Sequence, residues 1–368
     1  MKSSKAGGFV TLVAAYLLFF VIIGGVVTWL AVVGPPPSGP QAAAPQAASH
    51  TAPSEASASA TLHPTKPTAD DDTDVVSIDG TEAAKASGNA SEPAPTVPKQ
   101  PAVESFDPAL VKDTPQGKLP VVGPNGKTAW QTYAQPFKAS EDGPRIAIVV
   151  EDLGLNKDRT EDAINKLPAQ VTLAFSPYAE TLQDWADEAR AAGHEVLLSI
   201  PMEPVSYPND DPGPDALLTS LSPQQNLERL RRVLGRVTGY VGVMNSMGSK
   251  FTASTTALTP VMQDLSHRGL LFVDSSATRL SVAAKIARSM DIPRAINNRY
   301  IDNQITATAI DSQLTQLEQV AQGYGAAVGL SRAYPLSIER LQAWIPTLKG
   351  KGIVLAPITA VVNRQPIR

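Results

Sequence analysis

The chain has 368 residues, of which 43% are hydrophobic and 5% aromatic, and its formal net charge is −4 at pH 7. It contains no cysteine, which excludes a disulfide scaffold, a thiolate zinc site and a cysteine nucleophile. The mildly acidic balance lacks the basic excess typical of nucleic-acid-binding proteins, so no nucleic-acid partner is expected. The length allows about two ordinary domains, or one barrel-sized domain with a less ordered part.

An uncharged apolar run of 25 residues, 9–33, lies near the N-terminus. At about 1.5 Å per helical residue it exceeds the roughly 30 Å hydrocarbon core of a bilayer. Lys2 and Lys5 precede it and no acid does, which favours a cytoplasmic N-terminus. A cleaved signal peptide, the alternative, would have a shorter apolar region ending at a small-residue site. We expect residues 1–33 to form a cytoplasmic N-terminus and a single-pass anchor in the cell inner membrane, with the C-terminal domain in the periplasm.

Residues 34–116 are rich in Ala, Pro, Ser and Thr, and 17 of the 32 prolines lie between residues 34 and 143. Because this segment has few large apolar side chains, it predicts a disordered linker. Residues 117–144 predict a lead-in to the folded domain. Trp130, Tyr133 and Phe137 recur there at helical spacing, which favours packing on the main core.

From residue 145 onward, short apolar runs alternate with amphipathic segments. The apolar runs predict strands at 146–150, 171–175, 195–200, 241–244, 270–273, 295–301, 326–330 and 353–358. The amphipathic segments predict helices at 160–167, 181–192, 223–234, 256–268, 280–290, 306–323 and 336–348. This alternation is typical of an α/β fold with a parallel sheet buried on both faces, so residues 145–368 predict a (β/α) barrel of seven or eight parallel strands. An open doubly wound sheet is the alternative, but no Gly-rich phosphate loop follows the first strand.

Acidic and small polar residues follow the predicted strands, at the end where such barrels place their sites. They are Glu151, Asp152, Glu203, Asn245, Ser246, Asp274, Asp302 and Arg332. Acids after a strand also cap the next helix, and this alternative applies most to Asp274 and Asp302. The adjacent pair Glu151 and Asp152 favours a site.

Seven short motifs occur in a recognisable order. They are Glu151-Asp-Leu-Gly154, Gly193-His-Glu195, Pro201-Met-Glu-Pro204, Asp211-Pro-Gly-Pro214, Asn245-Ser-Met-Gly-Ser-Lys-Phe-Thr252, Phe272-Val-Asp-Ser275 and Ile301-Asp-Asn303. With these motifs, residues 145–361 resemble the divergent polysaccharide deacetylase family of envelope proteins. The resemblance implies a deacetylase-type barrel, and an envelope polysaccharide or peptidoglycan-type glycan as ligand.

The resemblance also implies a chemistry, in which zinc held by one Asp and two His activates water for deacetylation and a carboxylate acts as base. Asp152 matches the metal-binding acid and Glu151 the base. Glu151, Asp152 and Asp274 are then the candidate catalytic residues of a vestigial or altered site. The candidate binding cleft consists of Glu203, Asn245, Ser246, Asp302 and Arg332.

The His ligands of the family are replaced, since Ser199, Ser246 and Arg332 stand in segments where members commonly carry His. Serine is a poor zinc ligand and arginine stays protonated. Neither His194, before the third strand, nor His267, near a helix end, matches these positions. With Asp152 as the only matching ligand, we expect no working zinc site and no other cofactor; zinc is implied only if the site is active.

Three functions are consistent with these residues. The first is a catalytically lost or altered barrel that binds glycan. In it, one hydrogen-bonded network joins Arg332 to the acids Glu151, Asp152, Asp274 and Asp302. The second is an active hydrolase of N-acetyl groups that uses Glu203 or Asp274 as an oxygen ligand for magnesium or manganese. The third is a tethered scaffold for another protein, which an exposed apolar patch away from the strand ends would favour. We expect the first; the sequence identifies no protein partner.

Overall fold

The computed structural model of the chain describes residues 107–138 and 143–367. Its strands are β1 (Val111–Thr114), β2 (Gly117–Pro120), β3 (Arg145–Leu153), β4 (Thr172–Phe175), β5 (Val196–Met202), β6 (Gly242–Met247), β7 (Leu271–Asp274), β8 (Arg294–Ile296), β9 (Arg299–Tyr300), β10 (Ala326–Arg332) and β11 (Val354–Leu355). Its α-helices are α1 (Ala129–Thr132), α2 (Lys157–Lys166), α3 (Leu182–Ala191), α4 (Pro223–Leu234), α5 (Thr255–His267), α6 (Ala283–Ser289), α7 (Ala307–Tyr324) and α8 (Pro335–Trp344).

Strands β3 to β11 form one sheet in which every pair is parallel. The order is β8-β7-β6-β5-β4-β3-β10-β9, and β11 pairs with the start of β3. β5 is buried along its whole length, and β3 is buried everywhere except Asp152. Because both strands carry almost only buried side chains, the sheet is covered on both faces. The predicted parallel sheet is confirmed.

The two ends of the sheet belong to one stretch of chain. β8 pairs with β7, and β9 pairs with β10. Between β8 and β9 the chain has only two residues, Asn297 and Asn298. The Asn297 N–H donates to the Asp274 carbonyl (2.8 Å), whereas the Asn298 N–H donates to the Val328 carbonyl (2.8 Å). The chain therefore crosses from the edge of β7 to the edge of β10, and the sheet curls like a deacetylase-type barrel. The single strand predicted at 295–301 is wrong in this respect, because its neighbour changes midway.

The helices lie where the sequence predicts them, with ends that shift by a few residues. The helix predicted over 336–348 is α-helical only to Trp344, and a 3₁₀ turn, Ile345–Thr347, follows it. Pro346 lies in this turn and has no N–H to continue the helix. The strand predicted at 353–358 has only the two residues of β11, and a 3₁₀ helix, Ile358–Val361, begins after Pro357.

The lead-in packs against the N-terminal end of the sheet. Tyr133 is 2% exposed, and the Arg190 guanidinium lies 4.8 Å from the centre of its ring. The Gln135 N–H donates to the carboxylate of Glu195, which directly precedes β5 (2.9 Å). Trp130 and Phe137 are partly buried against the same core. The lead-in therefore covers the end of the sheet opposite to the predicted site.

The folded part begins before residue 117. β1 pairs antiparallel with β2, and Leu110 is 1% exposed. The predicted boundary between linker and domain, at residue 117, thus falls inside a hairpin, because a short apolar stretch at residues 110–111 is enough to join the core.

The predicted anchor (residues 1–33) and residues 34–106 of the predicted linker lie outside the described residues. In the part of the chain that the structure describes, no helix is long and apolar enough to cross a bilayer. The anchor and its orientation stay predictions.

Candidate functional site

Glu151 and Asp152, at the end of β3, lie in different environments. Glu151 is 7% exposed, whereas the Asp152 side chain is 44% exposed. Asp152 has a φ of 62° and Gly154 a φ of 88°, so the backbone turns sharply there. The Gly154 N–H donates to the Thr160 hydroxyl (2.9 Å), which fixes this turn to α2. Because of this turn, the Glu151 carboxyl is buried, whereas the Asp152 carboxyl contacts solvent.

Arg332, the last residue of β10, pairs with both carboxylates. Its Nε donates to Asp152 Oδ2 at 3.1 Å, and its Nη2 lies 3.6 Å from Glu151 Oε1. The parallel register of β10 and β3 sets Arg332 opposite Glu151, so strand pairing alone brings these groups together.

Asp302 fixes the backbone of Arg332 by hydrogen bonds. Its Oδ2 accepts three hydrogen bonds, from the Ser331 hydroxyl (2.9 Å), the Arg332 N–H (2.7 Å) and the Ser337 hydroxyl (2.7 Å). Asp302 is 3% exposed and does not cap α7, whose N-cap is Thr306. It therefore connects the end of β10 to α8. We call Glu151, Asp152, Asp302 and Arg332 the Arg332 cluster.

Glu151 has a strongly perturbed acidity. Burial, followed by the negative charge of Asp152, raises the pKa of Glu151 from its ordinary 4.5 to about 7. The positive charge of Arg332 acts in the opposite direction, and Asp302 adds a smaller raising effect. Near neutral pH the Glu151 carboxyl is thus divided between its protonated and ionised forms, and it can donate or accept a hydrogen bond.

Tyr300 is a site residue that sequence reasoning missed. It ends β9, and burial raises its pKa to about 12. A hydrogen bond with Ser275 opposes this effect, and the charges of Glu151 and Asp274 add to it. The phenol therefore stays protonated at neutral pH and lies within electrostatic reach of both carboxyl groups. In the sequence Tyr300 is a single aromatic residue between Arg299 and Ile301 in a predicted strand, which is equally typical of a core residue.

Asn245 and Asp274 belong to a separate polar group around Ser275. Asn245 accepts from the Ser275 N–H (2.9 Å) and donates to the Ser275 hydroxyl (2.6 Å). Asp274 accepts from the Ser276 N–H (2.9 Å) and the Ser281 hydroxyl (2.7 Å), and burial raises its pKa. Asp274 is not the N-cap of α6, and within the described residues it forms no ion pair with Arg332. The predicted network around Arg332 does not extend to Asp274.

Glu203 and Ser246 lie outside the Arg332 cluster. Glu203 accepts from Lys250 Nζ (2.7 Å) with one oxygen, and from the Thr219 N–H (2.5 Å) and hydroxyl (2.6 Å) with the other. Although burial acts to raise the pKa of Glu203, the hydrogen bonds from Lys250 and Thr219 lower it below its ordinary value. Glu203 thus ties the loops after β5 and β6 together. Ser246 is partly buried, and its side chain makes no hydrogen bond in the described part of the chain.

The donors do not fit the zinc site that the resemblance implies. Arg332 places a guanidinium against Asp152, and the buried Ser199 hydroxyl has no hydrogen-bond partner among the described residues. His194 is buried at the opposite end of the sheet against two backbone carbonyls, and His267 is exposed at the end of α5. Across residues 107–138 and 143–367, no group of three or more His, Cys, Asp or Glu side chains could hold a metal ion.

A cavity of about 200 Å³ lies beside the Arg332 cluster. Glu151, Asp152 and Arg332 line one side of it. Arg159 and Tyr334 line another, with the Arg159 guanidinium 5.0 Å from the centre of the Tyr334 ring. The cavity thus combines charged groups with an aromatic ring.

The loops at the same end of the sheet expose apolar side chains. Of the eight large hydrophobic residues exposed in the described part, six lie at or after the C-terminal ends of strands: Leu155, Val205, Tyr207, Met247, Leu280 and Ile305. An exposed apolar patch away from the strand ends would favour the scaffold alternative, whereas these six residues lie at the end of the sheet that carries the Arg332 cluster.

Comparison with known proteins identifies the family. The sequence model described as divergent polysaccharide deacetylase matches residues 148–362. An uncharacterized protein of Haemophilus influenzae is 28% identical over 204 residues, which cover 55% of this chain and 72% of that protein. The uncharacterized protein YibQ of Escherichia coli is 25% identical over 227 residues, covering 61% of this chain and 69% of YibQ.

A solved structure supports the same assignment. The crystal structure of an uncharacterized protein from Agrobacterium tumefaciens has a TM-score of 0.65 and 39% identity to this chain, and the match covers 67% of this chain and 100% of that one. The family model alone matches more than half of the chain. This protein belongs to the divergent polysaccharide deacetylase family.

Proposed function

We propose that this protein binds an envelope polysaccharide at the Arg332 cluster and does not deacetylate it through a bound metal. The ion pair of Arg332 with Asp152 (3.1 Å) and Glu151 (3.6 Å) carries the proposal. Asp152 is the residue that matches the metal-binding acid of the family. A guanidinium keeps its charge at all physiological pH values, so a cation at the same carboxylate would have to displace Arg332 or be repelled by it.

The remaining groups of the cavity suit a polar ligand. The Arg332 side chain is 39% exposed and has donors beyond those that face the carboxylates. Glu151 can both donate and accept near neutral pH, and Tyr334 offers an aromatic ring beside the charged groups. Convergent polar groups next to an aromatic surface are typical of sites that hold a ligand in one orientation.

The test of the metal mechanism uses the full-length chain, purified without chelator and analysed for bound metals. We expect no stoichiometric metal, and no acetate release from N-acetylated chito-oligosaccharides with zinc, magnesium or manganese added. Magnesium and manganese are included because a rearranged site with Glu203 or Asp274 is the alternative hydrolase. Stoichiometric metal, or acetate release that Asp152→Ala abolishes, would contradict the proposal.

The test of binding uses the same oligosaccharides and isothermal calorimetry. Arg332→Ala is expected to weaken binding by about tenfold or more, because a charge-assisted hydrogen bond is lost. Arg340→Ala is the matched control, since Arg340 also pairs with an acid, Asp311, but does not line the cavity. Equal affinities of the wild type and Arg332→Ala, or an equal loss in Arg340→Ala, would contradict binding at this cluster.

We further propose that residues 9–33 anchor the chain in the inner membrane with the folded domain in the periplasm. The uncharged length of this run and the preceding Lys2 and Lys5 support the proposal. Protease treatment of intact spheroplasts should digest the folded domain and leave a membrane-bound N-terminal fragment. Recovery of the whole chain in the soluble cytoplasmic fraction would contradict it.

A further inference from the structure

A second cavity, larger than the one at the Arg332 cluster, lies where the sheet changes from β8 to β9. Its volume is about 560 Å³, within the range of roughly 300–1,000 Å³ that is usual for ligand sites. We call it the side groove. The loop after β7, helix α6, the β8–β9 segment and the end of α7 form its walls, and the C-terminal residues 365–367 form one end. It shares no lining residue with the cavity at the Arg332 cluster.

The segment that forms most of the side groove is basic. Residues 274–300 contain five Lys and Arg residues but only two acids, Asp274 and Asp291. Residues 144–368 as a whole contain 22 basic and 22 acidic residues, so the positive charge is concentrated at this place. Burial, followed by the nearby charge of Arg288, lowers the pKa of Arg294; neither of these two arginines lines the groove.

Two of the lining cations have no acidic partner among the described residues. Arg279 and Lys285 are exposed and form no ion pair within the described residues. The acid that lines the groove, Asp274, already accepts hydrogen bonds from Ser276 and Ser281. The positive charge is therefore available to a ligand.

A third cation is held in a fixed position. Arg299 Nε donates to Gln316 Oε1 (3.2 Å), and its Nη1 donates to the Asn298 carbonyl (2.7 Å). Both acceptors are neutral, so neither of these hydrogen bonds places a negative charge against the guanidinium. A guanidinium that is already oriented loses little conformational entropy when it binds a carboxylate.

An aromatic ring completes the side groove. Tyr324, the last residue of α7, lines the side groove. This tyrosine is 53% exposed, so much of its aromatic ring is accessible to a ligand. Thr278 and Asn297 also line the groove, but the Asn297 amide is buried and bonds the Ser275 carbonyl and the Arg299 N–H (both 3.0 Å). An aromatic face next to guanidinium and ammonium groups suits a ring that is apolar on its face and carries an acid at its edge. A sugar ring that carries a carboxylate has this character.

We propose that the side groove binds an acidic saccharide chain, whose carboxylates pair with Arg279, Lys285 and Arg299 while one sugar ring packs on Tyr324. The site is separate from the Arg332 cluster, so it adds a second binding function to the one proposed above. A chain that contacts both sites would be held at the strand ends and along the side of the barrel.

The test measures binding of three probes to the full-length chain by calorimetry: an oligogalacturonate, a neutral cello-oligosaccharide and poly-L-glutamate. The oligogalacturonate is expected to bind more tightly than either of the others, and more weakly as ionic strength rises. The variant Arg279→Ala/Lys285→Ala should lower its affinity by about tenfold or more. Tyr324→Ala should also lower it.

The control variant is Arg236→Ala/Lys349→Ala, which removes one exposed arginine and one exposed lysine that do not line the groove. It should bind the oligogalacturonate like the wild type. An equal loss in the control variant would mean that net charge alone drives binding and would overturn the site. Equal or tighter binding of poly-L-glutamate would overturn the assignment to a saccharide, and absence of oligogalacturonate binding would overturn the proposal as a whole.

Discussion

Replacing Glu151 by glutamine should change how the stability of the protein depends on pH. In the folded protein Glu151 keeps its proton up to about pH 7, whereas in the unfolded chain it loses the proton near 4.5. Between these values the folded state binds more protons than the unfolded state, so the free energy of unfolding falls as pH rises. The stabilising contribution of Glu151 is thus complete below pH 4.5 and lost as pH rises through about 7.

The size of this effect follows from the shift. Moving the pKa from 4.5 to about 7 corresponds to about 3 kcal/mol, at about 1.4 kcal/mol for each pH unit. Glu151 is only 7% exposed, so solvent screening reduces this value little. Glutamine does not titrate. The difference in unfolding free energy between Glu151→Gln and the wild type should therefore shift by about 3 kcal/mol in favour of the variant from pH 4.5 to above pH 7.

Urea unfolding followed by circular dichroism, at pH values from 4 to 8, measures this difference directly. Glu195 has a similarly raised pKa but is unchanged in both proteins, so subtraction removes its contribution. Glu203→Gln is a control of opposite sign, because the pKa of Glu203 is lowered and its contribution is lost only as pH falls below its ordinary value. A difference curve for Glu151→Gln that is flat between pH 4.5 and 7 would refute the reasoning. It would mean that attraction to Arg332 outweighs burial.

Two further substitutions probe the framework of the site by the same unfolding assay. Asp302→Asn should lower the free energy of unfolding by about 2 kcal/mol, because an amide is a weaker acceptor than a carboxylate for the three donors to Asp302 Oδ2. The control Asp311→Asn, at an exposed ion pair, should lower it clearly less. Equal costs would contradict a role for Asp302 in holding β10. Gly154→Ala should cost about 2 kcal/mol or more, since φ is 88° and the new Cβ would lie 2.5 Å from the Ala179 Cβ; Gly350→Ala, with open space around it, should change little. A tolerated Gly154→Ala would mean that the turn after β3 can relax.

The sequence predicts the sheet well because its strands are buried on both faces. A continuous apolar run such as residues 146–150 has few other interpretations in a chain with regularly spaced helices. The prediction failed at 295–301, where Asn297, Asn298 and Arg299 interrupt the apolar residues and the chain changes neighbours at Asn297 and Asn298. The new neighbour depends on hydrogen bonds to β7 and β10, which lie far away in sequence, so the interruption alone does not identify it.

The candidate site was predictable in part for a similar reason. Glu151, Asp152 and Arg332 end neighbouring strands, and parallel pairing brings strand ends together. Tyr300 and the side groove were not predicted. The cations of the side groove come from a loop, a helix and a strand, and apolar residues separate them in the sequence, so the charge emerges only when these elements pack.

Charge balance in the Arg332 cluster explains how its carboxyl groups can lie close together. The cluster contains three carboxyl groups and one guanidinium. Three hydrogen-bond donors satisfy one oxygen of Asp302, and Arg332 offsets one of the other two negative charges. The raised pKa of Glu151 reduces the remaining negative charge, because this carboxyl is partly protonated near neutral pH. Arg332 and one titratable proton together can therefore compensate most of the negative charge of these carboxyl groups. A ligand that draws Arg332 away from Glu151 would raise the pKa of Glu151 further, so binding of such a ligand should be accompanied by proton uptake.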